Sequence, residues 1–166
     1  MNLHHQYWYF QKAVPDRICD EIKKYAISIK DQMAVTGGFG DPAKLNQNQI
    51  KNLKKKRDSD VVWLSDRWVY KEIQPYVRQA NASAGWNFEW DWSEACQFTK
   101  YTKGGDFEVD FRDKDPDKKP HTQIVKKIRP KGSLIVFPSD LWHRVKPVTK
   151  GVRYSLVIWN LGGPFK

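Results

Sequence analysis

The chain has 166 residues, about one domain, and its 40% hydrophobic content is enough to bury one core. Its 29 basic residues outnumber the 19 acidic ones, and the net charge of +10 would attract polyanions or acidic protein surfaces. The apolar stretches are far shorter than the ~20 residues of a membrane helix, and the amino terminus lacks the features of a secretory signal. We therefore expect no membrane association and a cytoplasmic location, in a bacterium or in the host of a virus that encodes the protein. No pattern specifies an oligomeric state.

The first half of the chain predicts two helices separated by a loop. Residues 15–34 place apolar side chains at three- and four-residue spacing after a Pro-Asp start, which predicts an amphipathic helix. Residues 36–60 have no sustained periodicity and predict a long surface loop. A second helix fits 68–80, where Pro75 indicates a kink or a late start.

From residue 85 onward the hydrophobic period changes to two, which is typical of half-buried strands. Turn signals separate short strands at regular spacing, which predicts a sandwich or barrel braced by the helices. The predicted strands are 86–92, 95–101, 106–111, 123–128, 133–137, 142–146 and 152–160.

Cysteines and basic runs carry little functional signal. Cys19 and Cys96 are the only cysteines, and they predict free buried thiols rather than a disulfide framework or a zinc site. The basic runs 51–57 and 118–131 are not interleaved with aromatic residues that would stack on bases, so solvated loops are the simpler interpretation. Nucleic-acid binding is supported only by the net charge.

The segment from Lys131 to Trp159 holds the residues best suited to chemistry. If strands 142–146 and 152–160 form a hairpin, His143 and Arg153 are cross-strand partners that share a face. A buried guanidinium needs an anion, and a metal-bound diacid between imidazole and guanidinium would satisfy both groups. The alternative is an ordinary hairpin with a core histidine and a surface arginine.

This segment resembles the prolyl-4-hydroxylase-like branch of the iron(II)- and 2-oxoglutarate-dependent oxygenases. The resemblance rests on Gly-Ser-Leu-Ile-Val-Phe-Pro followed by His143, then Arg153 and Ser155. It implies that His143 is an iron ligand and that Arg153 and Ser155 bind 2-oxoglutarate. The strand Gln-Phe-Thr-Lys-Tyr101 resembles the one whose tyrosine contacts the co-substrate, although a structural role for Tyr101 is an equal alternative.

The sequence departs from the family where a His-x-Asp or His-x-Glu pair should complete the metal site. The other histidines are His4, His5 and His121, and none stands two residues before an acid, so we expect them to be exposed rather than ligating.

Three explanations remain open for the absent pair. In the first, a segment of about 30 to 40 residues belongs between Gly104 and Gly105, and the open sheet edges left without it favour this explanation. In the second, a natural truncation lost iron and became a binding module. In the third, the strand after Gly105 is itself the metal strand, with Phe111 in the histidine position and Asp113 in the acid position.

The resemblance implies one domain over 1–166, with helices at 15–80 bracing a double-stranded β-helix core at 85–161, a jelly-roll of cupin-like type that lacks some strands. It also implies Fe(II) as cofactor and 2-oxoglutarate as co-substrate of a dioxygenase. The enzyme would hydroxylate a protein side chain, a prolyl residue by family default, or a small molecule. The alternative is a catalytically inactive β-helix domain that binds a protein or a polyanion.

Overall fold

The structure is a computed structural model of the chain. The described residues are 5–29, 59–101, 107–111, 121–141, 143–145 and 151–163. In chain order the elements are β1 (Trp8–Phe10), α1 (Asp16–Ser28), β2 (Ser59–Leu64), α2 (Arg67–Ser83), β3 (Trp92–Ser93), β4 (Cys96–Tyr101), β5 (Phe107–Phe111), β6 (His121–Ile124), a 3₁₀ helix (Lys126–Ile128), β7 (Leu134–Val136), β8 (His143–Val145), β9 (Arg153–Val157) and β10 (Asn160–Leu161).

The first predicted helix forms but ends earlier than its periodicity suggested. Helix α1 covers Asp16–Ser28 and buries Ile18, Ile22 and Ala26, spaced four apart as one helix face requires. Ile29 is already extended, at φ −83° and ψ 140°, so the helical prediction is wrong at that residue. Residues 30–34 lie outside the described part of the chain.

The second predicted helix also forms and is longer than expected. Helix α2 covers Arg67–Ser83 and contains Pro75 within it, so the helix does not start after the proline. Val69, Ile73 and Ala80 are buried along one face. The missing N–H of one proline is tolerated because that packed face stabilises the helix as a whole.

The central sheet has the strand order β2-β4-β9, and both strand pairs are antiparallel. One face carries Val62, Leu64, Phe98 and Leu156, which pack in the same cluster as the buried residues of α1 and α2. The helices therefore cover one face of this sheet, and alternate residues of its strands point to the other face.

The other strands form a three-stranded sheet and two short pairs. The second sheet has the order β6-β5-β8 and is antiparallel throughout. Strand β1 pairs with β7, and β3 pairs with β10. The predicted strands 95–101, 106–111, 133–137 and 142–146 are confirmed as β4, β5, β7 and β8, each within one or two residues at its ends.

Gly132, just before β7, forms a backbone hydrogen bond with Val14, just before α1. Gly132 has φ +75°, and its carbonyl oxygen accepts a hydrogen bond of 3.0 Å from the N–H of Val14. A Cβ at this position would collide with the carbonyl oxygen of Val14 and would lie 3.6 Å from the sulfur of Cys19. Only glycine allows both the left-handed backbone and this close approach.

The predicted strand 86–92 is wrong, although its alternating aromatic residues suggested one. The segment is irregular until β3 begins at Trp92, and Asn87 has φ +53°, which no strand residue adopts. The side chain of Asn81 replaces a neighbouring strand: its amide donates to the Phe88 carbonyl at 2.8 Å and its oxygen accepts from the Phe88 N–H at 2.9 Å. Trp86 is buried and stacks on Phe88 at 6.0 Å between ring centroids.

Three further expectations need correction. The predicted strand 123–128 ends at Ile124 and continues into the 3₁₀ helix, whereas 152–160 is divided into β9 and β10. Strands β1 and β2 were not predicted, and Ser59 and Asp60 of the expected 36–60 loop belong to β2. The rest of that loop lies outside the described residues.

The described chain is mostly strands with two helices, which is consistent with a jelly-roll, while the double-stranded β-helix itself remains a prediction. None of its helices is long and apolar enough to cross a membrane. Both cysteines are free: Cys96 is buried as predicted, and Cys19 is half-buried.

Candidate co-substrate site and metal centre

Strands β4 and β9 bring three of the predicted site residues onto one face. Tyr101 is the register partner of Arg153, and Ser155 is the partner of Thr99 one row further along. Opposed residues of antiparallel strands share a face, and so do residues two apart. Tyr101, Arg153 and Ser155 therefore all lie on the face of the sheet that is turned away from the helices.

The first row of this face pairs a cation with an aromatic ring. The guanidinium carbon of Arg153 lies 5.8 Å from the centroid of the Tyr101 ring, within the range of a cation–π interaction. Both side chains are half-buried. Partial burial strengthens the attraction of a guanidinium for a carboxylate, and its planar fork can bind both carboxylate oxygens.

The second row adds polar groups that the sequence analysis did not single out. Thr99 is 1% exposed and is the buried polar residue of the described chain. Its hydroxyl oxygen accepts a hydrogen bond of 3.3 Å from the side-chain amide of Gln97, which lies on the same face. The alternation of Gln97, Thr99 and Tyr101 along the predicted strand was the signal that could have found them.

Two exposed tryptophans stand at the far end of the same face. Trp63 of β2 is the partner of Gln97, and Gln97 is the partner of Val157 on β9. Trp63 and Trp159 are 45% and 36% exposed, with ring centroids 6.4 Å apart. The two exposed rings lie at the end of this face that is furthest from Tyr101 and Arg153.

His143 lies at the start of β8 and is exposed. Its Nδ1 is 2.7 Å from the carbonyl oxygen of Leu141, and its ring lies 4.6 Å from the ring of Phe137. A carbonyl that accepts from Nδ1–H fixes the tautomer and the ring orientation, the arrangement by which proteins present Nε2 to a metal.

The predicted hairpin between the strands of His143 and Arg153 is wrong. Strand β8 pairs with β5, and β9 pairs with β4, so the two residues lie in different sheets and are not cross-strand partners. The short connection between the two strands suggested a hairpin, but connection length does not determine which sheet each strand joins. Here β4 offers β9 a ladder from Gln97 to Tyr101, which fixes β9 in the other sheet.

The described residues do not complete an iron site. They contain no group of three or more His, Cys, Asp and Glu side chains that could hold a metal ion. The residue opposite His143 on β5 is Val109, which has no ligating atom. His5 is exposed, as expected, whereas His4, Asp113 and the side chain of His121 lie outside the described part. Of the predicted iron ligands, the described part of the chain therefore supplies His143 without a facial triad, so no chemical step through iron follows from it.

The clearest shifted titratable groups lie on the helix side of the central sheet, away from the polar rows. Burial raises the pKa of Tyr70 to about 12, and the Tyr70 hydroxyl donates a hydrogen bond of 2.8 Å to the carbonyl of Glu94. Burial likewise raises the pKa of the Cys96 thiol and, with a smaller opposing effect of Lys131, that of Cys19. The raised pKa values keep the Tyr70 hydroxyl and both thiols in their neutral forms at neutral pH.

The mainly-β fold has one polar sheet face with Tyr101, Arg153 and Ser155, and it has an exposed imidazole, that of His143, on a strand of a different sheet. Comparison with known families identifies the class: residues 75–160, just over half of the chain, match the 2OG-Fe(II) oxygenase superfamily. The chain belongs to that superfamily.

Two curated relatives are similar over a short stretch. A PKHD-type hydroxylase of Synechococcus sp. strain JA-2-3B'a(2-13) is 53% identical over 30 residues, which are 18% of this chain and 13% of the relative. A PKHD-type hydroxylase of Synechococcus sp. strain JA-3-3Ab matches with the same identity and coverage. The match thus spans about an eighth of the relatives' length.

Proposed function

We propose that this chain is one oxygenase domain, a double-stranded β-helix that uses Fe(II) and 2-oxoglutarate to hydroxylate a protein side chain. The superfamily match supports the dioxygenase class, and the short similarity to PKHD-type hydroxylases supports a prolyl-hydroxylase-like branch. The observation that carries the proposal is the placement of Tyr101, Arg153 and Ser155 on one sheet face.

In this proposal Arg153 binds the distal carboxylate of 2-oxoglutarate through its fork, and the hydroxyls of Tyr101 and Ser155 donate to the same group. His143 is one iron ligand. The remaining ligands come from outside the described residues, and a further segment between Gly104 and Gly105 would supply them.

Calorimetric binding of 2-oxoglutarate under anaerobic conditions tests the co-substrate site. Loss of a charge-assisted hydrogen-bonding partner costs about 1.5 to 3 kcal/mol, so Arg153→Gln should weaken binding about tenfold to a hundredfold. Arg153→Lys keeps the charge but loses the fork, and it should fall in between. Arg78→Gln is the matched control: it removes an exposed cation that lies over Trp90, away from the polar face. Wild-type protein that does not bind 2-oxoglutarate would contradict the proposal.

A binding domain without catalysis is the second candidate, and it is favoured because the described residues contain no group of three metal-ligating side chains. Anaerobic addition of Fe(II) with 2-oxoglutarate separates the two, because a bound chelate gives a weak visible charge-transfer band and a site without metal does not. Intact mass measurement of the purified protein is complementary: a mass above 19.5 kDa would reveal a further segment.

The partner of such a binding domain would be a protein or a polyanion, as the net charge of +10 favours. If that partner is a nucleic acid, binding should fall steeply as salt is raised from about 50 to 200 mM.

A further inference from the structure

Three hydroxyl groups share the polar face and have no hydrogen-bond acceptor among the described residues. They belong to Tyr101, Ser155 and Thr99, which occupy two neighbouring cross-strand rows beside Arg153. Tyr101 contacts the guanidinium through its ring, and Thr99 only accepts a hydrogen bond, so the three O–H donors remain available. Hydroxyl donors gathered beside a guanidinium match the needs of a carboxylate.

Thr99 is the least accessible of the three, at 1% exposure. A buried hydroxyl whose O–H has no acceptor costs free energy, and a ligand oxygen at this position would recover that cost. The row partner of Thr99 is Ser155, so a ligand that extends along β9 from Arg153 to the Ser155 hydroxyl ends beside Thr99.

Gln97 determines the direction of the Thr99 hydroxyl. Its amide N–H donates to the Thr99 oxygen at 3.3 Å and occupies one of the two lone pairs. Because an amide N–H cannot accept a hydrogen bond, the Thr99 O–H does not point at it and is left to donate elsewhere. Gln97 and Thr99 lie two residues apart on β4, on the same face as Tyr101, so the hydrogen bond runs along the polar rows.

We infer that Thr99 is a further binding residue for the carboxylate held by Arg153, and that Gln97 is the positioning residue that keeps the Thr99 hydroxyl as a donor. The inference rests on the proposed function and extends it, since neither residue was assigned a role from the sequence.

The test measures 2-oxoglutarate affinity by calorimetry in Thr99→Val, Thr99→Ser and Gln97→Leu. Thr99→Val keeps the shape and removes the hydroxyl, and it should weaken binding about tenfold. Thr99→Ser restores the hydroxyl and should restore most of the affinity. Thermal unfolding without ligand monitors the fold of each variant, and Thr99→Ser provides the comparison if Thr99→Val is unstable.

A double-mutant cycle tests the role of Gln97. If Gln97 acts through Thr99, Gln97→Leu should weaken binding in the wild-type background and have no further effect in Thr99→Val. Additive effects of the two substitutions would overturn the positioning role. Unchanged affinity in Thr99→Val would overturn the inference for Thr99.

The failure of this inference differs from the failure of the proposed function. If wild type binds 2-oxoglutarate and Arg153→Gln weakens binding while Thr99→Val does not change it, only the inference fails. If wild type does not bind 2-oxoglutarate, both fail.

Discussion

Replacement of Gly132 by alanine should destabilise the protein strongly, because that residue meets two independent constraints. A non-glycine residue with a left-handed backbone costs about 1 to 2 kcal/mol, and φ at this position is +75°. The new Cβ would collide with the Val14 carbonyl, so the backbone must shift, at an overpacking cost of about 1 to 3 kcal/mol. The shift also weakens the 3.0 Å hydrogen bond from Val14 to Gly132, which contributes about 1 kcal/mol.

Together these effects predict a loss of about 3 to 6 kcal/mol in the free energy of unfolding, or about 10 to 20 °C in Tm for a chain of this size. Denaturant titration followed by circular dichroism measures this loss. Gly151→Ala is the matched control, since Gly151 has φ +93° with open space around a Cβ, and it should lose only the backbone contribution. Equal losses in the two variants would refute the packing of β7 against the start of α1.

Three other perturbations test separate parts of the fold. Asn81→Ala removes both hydrogen bonds to Phe88 and should lower the free energy of unfolding by about 1 to 3 kcal/mol in denaturant titration, with Asn81→Asp in between because it keeps the acceptor. Because the pKa of Tyr70 rises from 10.0 to about 12 on folding, its contribution to stability is complete below pH 10 and is lost as pH rises through 12. Denaturant titration from pH 9 to 12 should show this fall in wild type and a smaller one in Tyr70→Phe. Buried Cys96 should react with a thiol reagent only on unfolding, whereas half-buried Cys19 should react slowly in the native state. Colorimetric time courses measure each thiol alone: Cys19→Ser reports on Cys96, and Cys96→Ser reports on Cys19.

Helices were the most predictable part of this fold. The spacing of Ile18, Ile22 and Ala26 identified the face of α1, and the same argument identified α2 despite Pro75. The end of α1 was not predictable, because apolar spacing continues past Ser28 while Ile29 is already extended.

The strand errors have specific local causes. Alternating tryptophans at 86–92 satisfied the period-two rule, but the side chain of Asn81 supplied the hydrogen bonds that a neighbouring strand would otherwise give Phe88. A side-chain amide that replaces a strand is a tertiary effect without a local signal. Strand β2 was missed because no turn signal separates it from the preceding polar segment.

Sequence reasoning found the residues of the candidate site but not how they are arranged. Tyr101, Arg153 and Ser155 were selected by resemblance, and the structure places them on one face. The hairpin that was expected to join His143 to Arg153 does not form, since β8 and β9 find partners in different sheets. Which strands pair depends on long-range contacts, whereas spacing along the chain reports only local geometry.

Strand β4 serves two purposes with alternate residues. Cys96 and Phe98 contribute to the packed cluster under the helices. Thr99 and Tyr101 lie on the opposite face of the sheet, together with Arg153 of β9. Insertion or deletion of a single residue in this strand would exchange the two sets, putting a threonine and a tyrosine beneath the helices and a phenylalanine on the polar face. Substitutions can therefore change one face of this strand at a time, whereas a change in its length would disrupt the packed cluster and the polar face together.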